Sequence, residues 1–583
     1  MHQFFPIKRG VRQGCPLSPY IFIICTEVLT LCLKHNRIYN GIMINDTELL
    51  IGQYADDTVL FIDGSDQAIT SIMNVLNIFD GISGLRTNFD KSYIFPIGYY
   101  VFNTPIHILN CLFKLSYGPI CYLGISFTHH HDDFFRLNFL PKLSRLKSTL
   151  NLWSIRDLTP IGKILIVKTF ALSNFVYLFT VLPNPPQAFI DELNTCIYNF
   201  IWKGKIDKVK RSTIIANYNE GGLRMPHINS FIHSLKCSWV RRYISDVYNN
   251  WKLFFDIHLR KFGCAFLFNC NMHITDLSCI NNNFVRDICK AWSTFNFNDN
   301  VVDYKNQIVL NNHFIKIGNA TLFNSILFSA GCFRLKNFFN ANGSPKNFHD
   351  FINEYKLHRF PFMTFLGIIA AVPAHWKNRV LVNNTNNSNI THSELNLSLY
   401  CSHNKSNSNK LIYSSIVRPF INEPTSLSKW KIEFPNIVNW SSVFLLPFKC
   451  VSNPKLKYFQ YRFIHRILAV NSFLHKIGIH DSPLCSFCNN YNETLGHLFW
   501  DCPVVNQFWF KAANDIITVP IRLSKDVVFF GYLDNLKSPF NYFILHVKHY
   551  IYCCRCNGTR PQVNQFHRLF SFNIRIKEYI NKS

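Results

Sequence analysis

The spacing of apolar and polar residues changes character several times along this 583-residue chain. Two short apolar, β-prone runs, Leu49-Leu50-Ile51-Gly52-Gln53 and Thr58-Val59-Leu60-Phe61-Ile62, flank Tyr54-Ala55-Asp56-Asp57. Runs of that length predict two strands of a hairpin with both carboxylates at its turn. Upstream, Gly10-Val11-Arg12-Gln13-Gly14-Cys15-Pro16-Leu17-Ser18-Pro19 predicts a loop that runs into a helix. Ser18 suits the N-cap and Pro19 the first helical position. From Phe134 the period becomes helical. Leu143, Leu146, Leu150 and Trp153 form one stripe, with Pro141 near its start. Thr159-Pro160 opens a second helical segment to Leu172, and Phe189, Leu193, Ile197 and Phe200 form a third stripe. Residues 240–380 mix helical and irregular patterns. Residues 383–410 are Asn/Ser-rich, a composition that buries no core and reads as a flexible linker. The pattern as a whole predicts an α+β protein of several domains.

Composition narrows the partners. Sixty Lys+Arg against 34 Asp+Glu give a net charge of +26, which favours a polyanion bound in a salt-sensitive way. A membrane surface is the competing polyanion. The apolar run Tyr20 to Leu33 is too short to span and contains Glu27, and the run Ile164 to Leu182 is broken by Lys168 and Asn174. The N-terminal residues do not read as a secretory signal. Most of the 20 cysteines stand singly in apolar surroundings, as reduced, buried thiols do. The expected setting is therefore an intracellular, reducing compartment, the cytoplasm or nucleus.

Four groups of residues carry candidate chemistry. Asp56 and Asp57 are hard oxygen ligands held at one point, which suits Mg²⁺ in phosphoryl transfer; a solvated Asp-Asp turn is the plain alternative. The densest basic cluster, Lys203, Lys205, Lys208, Lys210 and Arg211, is either a phosphate-contacting loop or a solvated one. Trp239, Arg241 and Arg242 fit base stacking, or a core Trp with exposed arginines. Cys485-Ser486-Phe487-Cys488, then His497 and Cys502, give C-x2-C-x8-H-x4-C, a ligand set for four-coordinate structural zinc; buried unliganded cysteines are the alternative. Arg462, His465 and Arg466 precede it on one predicted helix and are placed to contact phosphate. The tri-histidine His129-His130-His131 is a poor chelator, because alternate side chains of a strand point apart. Cys553, Cys554 and Cys556 lack a fourth ligand and read as structural residues of a terminal helix.

In order and spacing, the Arg12-Gln13-Gly14 loop, the Tyr54–Asp57 box, Gly84 to Ser92 with Lys91, and Tyr122-Leu123-Gly124-Ile125 resemble the palm of non-LTR (LINE-type) retrotransposon reverse transcriptases. Leu158–Lys163, Leu182–Pro186, Phe200–Trp202 and Glu220–Pro226 resemble the region after that palm. Phe459–Leu468 with Cys485–Cys502 resembles the family's C-terminal zinc-binding domain. The resemblance implies a partial right-hand polymerase palm over 1–128, a helical thumb-like region with the basic loop over 134–260, and a mixed helical region over 261–382. The 383–410 linker and a 411–583 region follow, the latter holding the zinc-binding domain at about 455–515.

It also implies site roles. Arg12, Gln13, Gly14 and Tyr54 lie near template and nucleotide, and Leu123 and Gly124 near the primer end. Asp56 and Asp57 bind Mg²⁺, Lys91 stands by the leaving pyrophosphate, and the partners are an RNA template and a DNA primer or target. In the family a further aspartate sits on a palm strand before the Arg-Gln-Gly loop, whereas Met1 to Arg9 carry no acid. The chain is thus expected to be part of a longer protein. The alternative to an RNA-directed DNA polymerase is a nucleic-acid-binding remnant that does no chemistry.

Overall fold

A computed structural model describes residues 14–35, 39–44, 46–104, 108, 111–247, 249–340, 342–357, 359–380, 392–402, 405–517 and 522–582. Helices dominate, and the strands among the described residues form five two-stranded sheets. That is the expected α+β composition. The chain divides into two compact units, each assembled from separate stretches.

The first unit comprises residues 1–143, 176–185 and 232–413. Its N-terminal core sets the helices Ser18–His35 and Asp66–Ser83 against the strands Ile51–Tyr54 and Asp57–Leu60. Leu29, Leu33, Ile72, Val75 and Phe79 are buried there, with Ile51 and Leu60 packed against them. Ser65 caps the second helix by accepting the Ala68 N–H at 3.2 Å, and Gly84 ends it in the left-handed region at φ 69°. Glycine meets that conformation without a steric penalty. The strands begin and end within two residues of the predicted runs. A second core gathers Val309, Leu310, Phe338, Phe351 and Trp376.

Two sequence expectations change in this unit. The helix His131–Ser154 starts well before Pro141, which lies inside it. Most of the stretch read as a flexible linker is helical, over His392–Ser402 and Lys405–Val417, while residues 383–391 lie outside the described residues. Tyr400 explains the difference: it is fully buried, and its hydroxyl donates to the Cys237 carbonyl at 3.0 Å. One aromatic anchor binds a polar segment whose composition alone argues against order. Trp239 likewise takes the core reading, with its indole N–H on the Thr180 carbonyl at 2.8 Å and its ring among Trp251, Phe255 and Phe284.

The second unit comprises residues 144–175, 186–231 and 414–583. Thr159 caps Pro160–Ile166 as predicted, accepting the Gly162 N–H at 3.4 Å. Buried Lys163 donates to the Phe200 and Ile201 carbonyls at 2.6 and 3.3 Å. These are end carbonyls of the helix Gln187–Trp202, where a cationic donor is favoured. Phe189, Leu193, Ile197 and Phe200 are buried along that helix, as their spacing predicts. The C-terminal core extends from Leu427 to Phe570, well beyond 455–515, and includes Cys485 and Cys502. Cys553, Cys554 and Cys556 lie on the helix Pro539–Cys556, as expected, and a further helix, Val563–Lys582, follows it. No single helix among the described residues is long and apolar enough to cross a membrane; Pro160–Ala171 and Ser173–Val181 reach that length only as a bent pair.

Candidate functional site

The Asp-Asp box occupies the tip of a tight hairpin. Ile51, Gly52, Gln53 and Tyr54 pair antiparallel with Leu60, Val59, Thr58 and Asp57. Ala55 and Asp56 therefore form a two-residue turn, and Ala55 carries φ 53°. Such short hairpins need a positive φ in the turn, because only then does the turn match the strand twist. Asp56 lies in the turn itself and Asp57 closes the first strand pair, so both carboxylates face solvent at one end. The hairpin is fixed from below by the Thr30 hydroxyl, 2.7 Å from Gln53 Oε1.

The Leu-Gly segment forms a second hairpin, Ile120–Tyr122 with Ile125–Phe127. Leu123 and Gly124 make its turn at φ 49° and 75°, both left-handed. Tyr122, the residue before that turn, has its pKa raised by burial, then by the Asp57 carboxylate and by Tyr177. Asp57 thus acts electrostatically on Tyr122, a residue to which the sequence pattern gave no role. Buried Asn138 holds this hairpin, donating to the Ser126 carbonyl and accepting the Ser126 N–H, each at 2.9 Å. Lys91 lies in a turn closed by its N–H on the Asn88 carbonyl at 3.1 Å, and its ammonium is free among the described residues. Nothing in those contacts joins it to Asp56 or Asp57. Gly14 adopts φ 88°, while Arg12 and Gln13 lie outside the described residues. His129 spends its ring nitrogens on the Pro96 and Tyr117 carbonyls at 2.6 and 3.1 Å, which fits the non-metal reading.

In the second unit the basic loop follows the Gln187–Trp202 helix, whose end is marked by Lys203 at φ 57° and Gly204 at φ 70°. Its charges are not equivalent. Arg211 pairs with Asp207 at 2.7 Å and lies over Tyr198, and Lys203 reaches Asp157 at 3.6 Å. Lys205, Lys208 and Lys210 are exposed and have no ion pair among the described residues.

Arg462, on the helix Pro454–Ile464, stands over Tyr458 and Tyr552 at 5.3 and 5.7 Å. Its two expected companions differ. Arg466 is bound to Glu433 and lies 3.7 Å from the Trp430 ring centroid, so its guanidinium is committed to packing. His465 is buried against the Gly221 carbonyl at 2.9 Å, and burial pushes its pKa down to about 4. A neutral, enclosed imidazole offers nothing to a phosphate.

The Cys/His cluster is the best-formed site. One ligand atom from each of Cys485, Cys488, His497 and Cys502 lies within 4.8 Å of the others, and three of the four residues are buried. Cys485 and Cys502 sulfurs are 3.9 Å apart, and Cys488 Sγ is 3.3 Å from His497 Nε2. Tetrahedral zinc with zinc–sulfur bonds of about 2.3 Å gives sulfur–sulfur edges of about 3.8 Å. The donor set and its spacing fit zinc.

Local backbone makes the cluster. Leu484 bridges Asn492, and the Cys485 N–H donates to the Tyr491 carbonyl at 2.8 Å, closing the C-x2-C turn. Residues His497–Asp501 form a π turn in which the Cys502 N–H donates to the His497 carbonyl at 2.9 Å. That i→i+5 closure brings ligands five residues apart to one side, where an α-helix would set them about 140° apart. Without metal, the thiol hydrogen bond to Cys502 raises the Cys485 pKa, burial adding to it, and lowers that of Cys502. Burial lowers the His497 pKa, against the opposing pull of Asp501 and Glu493, and so favours the neutral form that a ligand needs.

A carboxylate supports this loop from behind. Fully buried Glu493 accepts from the Ser486 N–H at 3.0 Å and its hydroxyl at 2.8 Å, from the Asn471 N–H at 2.9 Å and from Arg555 Nε at 2.9 Å. Sequence reasoning missed it. The available signal was the single acidic residue between the ligands Cys488 and His497.

The comparisons with known proteins agree with this arrangement. Residues 1–127 match the family described as reverse transcriptase (RNA-dependent DNA polymerase), and residues 426–509 match the one described as zinc-binding in reverse transcriptase. A relative from Xenopus laevis, the transposon TX1 uncharacterized 149 kDa protein, is 26% identical over 247 residues, 40% of this chain. Together these matches support a non-LTR retrotransposon reverse transcriptase with a C-terminal zinc-binding domain. An uncharacterized mitochondrial protein from Arabidopsis thaliana is 47% identical over 56 residues, 9% of the chain. The aligned segments span 18% and 46% of the lengths of these two relatives. The reverse transcriptase match contains the Asp-Asp hairpin and the Leu-Gly turn, and the zinc-binding match contains all four Cys/His ligands.

Proposed function

We propose that this chain acts in RNA-directed DNA synthesis, as part of a non-LTR retrotransposon reverse transcriptase. The observation that carries the reading is the Tyr54–Asp57 hairpin, with two exposed carboxylates at its tip inside the matched reverse transcriptase region. Asp56, and less directly Asp57, are the residues that hold Mg²⁺. That ion neutralises charge on the reacting phosphate oxygens in nucleotidyl transfer. Gln13 and Gly14 shape the loop near template and nucleotide, with Arg12 and Tyr54 beside them. Lys91 stands by the leaving pyrophosphate, and Leu123 and Gly124 position the primer end.

On this reading residues 1–128 form part of the palm, and 134–260 a thumb-like region. Residues 411–583 hold the zinc-binding domain, and the substrates are an RNA template and a DNA primer or target. The Lys205, Lys208 and Lys210 side chains and Arg462 meet backbone phosphate, with Lys203 and Arg211 at the margins. The free thiols support residence in a reducing compartment, the cytoplasm or nucleus.

A second reading, nucleic-acid binding without chemistry, is favoured by one observation. Among the described residues no third carboxylate or imidazole joins Asp56 and Asp57 in a metal-binding group. Primer extension on an RNA template, with Mg²⁺ or Mn²⁺, separates the two. Extension that Asp56→Ala abolishes supports the polymerase. Oligonucleotide binding without extension overturns it in favour of the second reading.

A further inference from the structure

The Glu220–Pro226 segment of the second unit holds an arginine in a strained conformation and leaves it without an acid. Arg224 adopts φ 58°, in the left-handed region that a residue with a side chain seldom occupies. The loop around it fixes it there. The Gly222, Leu223, Arg224 and Met225 N–H groups donate to the Asn217, Ile214, Ala216 and Ile214 carbonyls at 2.9, 3.0, 2.9 and 3.1 Å. A Cβ at Gly222 would collide with the Ala216 backbone, so the two sides of the loop are held in close contact. The Arg224 guanidinium lies 4.6 Å from the Tyr218 ring centroid, and Tyr218 stacks on Phe448 at 4.0 Å and 21°. Two other basic residues of this unit share the left-handed conformation, Lys203 and Arg466, and each faces an acid, Asp157 and Glu433. Arg224 faces none. It is exposed and forms no ion pair among the described residues. Glu220, the acid of its own loop, is taken by Arg418 and by the Asn217 N–H at 3.1 Å. An exposed cation–ring contact recovers no more than the left-handed backbone costs. Strain that the surroundings over-determine in this way is found at ligand clamps.

We propose that Arg224, steadied on Tyr218, is a preformed contact for one phosphate of a nucleic-acid strand. The proposal rests on the nucleic-acid reading above and adds a site outside the 203–211 loop. The ring holds the planar guanidinium in place, so little side-chain freedom is lost when its N–H edge meets a pair of phosphate oxygens. The chain's charge of +26 draws the same polyanion.

The test replaces Arg224 by residues that accept the left-handed backbone, Arg224→Gly and Arg224→Asn, and reads stability and binding together in the full chain. Both variants are expected to keep or raise the Tm, because the strain is relieved. Each is expected to lower the log–log salt slope of binding to a labelled single-stranded DNA oligonucleotide by about 0.7, one phosphate's worth on a single strand. Arg224→Lys keeps the charge but not the planar fork. It is expected to retain most of the slope while binding more weakly at fixed salt.

A lower Tm in both variants, whatever the slope, makes Arg224 a packing residue and overturns the preformed contact. An unchanged slope overturns it as well; if binding to phosphatidylserine vesicles falls instead, the arginine serves a membrane surface. In each of these cases binding of the oligonucleotide by the wild type still stands. Failure of the wild type to bind it overturns the reading on which the proposal rests.

Discussion

At pH 7 the imidazole of His465 is neutral, because burial holds its pKa down at about 4 against the opposing pull of the Gly221 carbonyl. In the unfolded chain the same group titrates near 6.5. Between those values the unfolded state binds the extra proton, so stability falls as pH drops from about 6.5 towards 4. From pH 7 to pH 5 the loss from this residue is roughly 2 kcal/mol. Denaturant unfolding at the two pH values checks it, and His465→Gln is expected to shrink the difference by about that amount. Glu493 is the more severe case. It is fully buried, pairs with Arg555 and holds the Ser486 end of the zinc turn. Glu493→Ala leaves a buried, uncompensated guanidinium and is expected to cost about 3–5 kcal/mol. Unfolding midpoints measured on the zinc-loaded chain test it; a change below about 1 kcal/mol contradicts the role given to Glu493.

Among the elements, the two hairpins show what a sequence reveals and what it withholds. The Asp-Asp hairpin was legible because its strands are short apolar runs with an acidic tip, and the observed strands fall within two residues of those runs. The Leu-Gly hairpin was legible only by resemblance, since Leu123 at φ 49° has no local signature. Its anchor, Asn138, was invisible: a polar residue within a helical stripe gives no sign of docking a hairpin. Asn138→Ala leaves the Ser126 N–H and carbonyl without partners and is expected to cost about 1–3 kcal/mol. Amide exchange at Ser126 is expected to speed up by a corresponding factor, while exchange in the Ile51–Leu60 hairpin stays unchanged.

The same limit explains Arg466 and His465. Helical spacing put them beside Arg462, but their roles depend on Glu433, Trp430 and Gly221, which sequence distance hides. At the zinc cluster the ligands were legible from spacing. The π turn that makes the last spacing work, and the Glu493–Arg555 pair behind it, come from packing.

For the molecule as a whole, the charge of +26 sets the expectation of salt-sensitive nucleic-acid binding. The ion pairs divide that charge unequally. Replacing Lys205, Lys208 and Lys210 together by Gln is expected to lower the salt slope by about 2–3, because each is exposed and without an acid partner. Replacing Lys203 and Arg211, which face Asp157 and Asp207, is expected to lower it by less. Equal effects from the two sets contradict this division.

The account turns on the claim that Cys485, Cys488, His497 and Cys502 form a closed zinc site that organises the C-terminal core. Zinc in comparable sites contributes roughly 10–16 kcal/mol of apparent binding free energy near neutral pH. Here the surrounding core extends from Leu427 to Phe570, so loss of metal is expected to open 484–502 rather than unfold the unit. The most direct measurement is the zinc content of the purified full chain and of Cys488→Ser, with limited proteolysis in the presence and absence of chelator. The account predicts one zinc per chain, lost in Cys488→Ser, and cleavage within 484–502 once the metal is removed. A wild-type chain that carries no stoichiometric zinc and resists protease equally with and without chelator would contradict it.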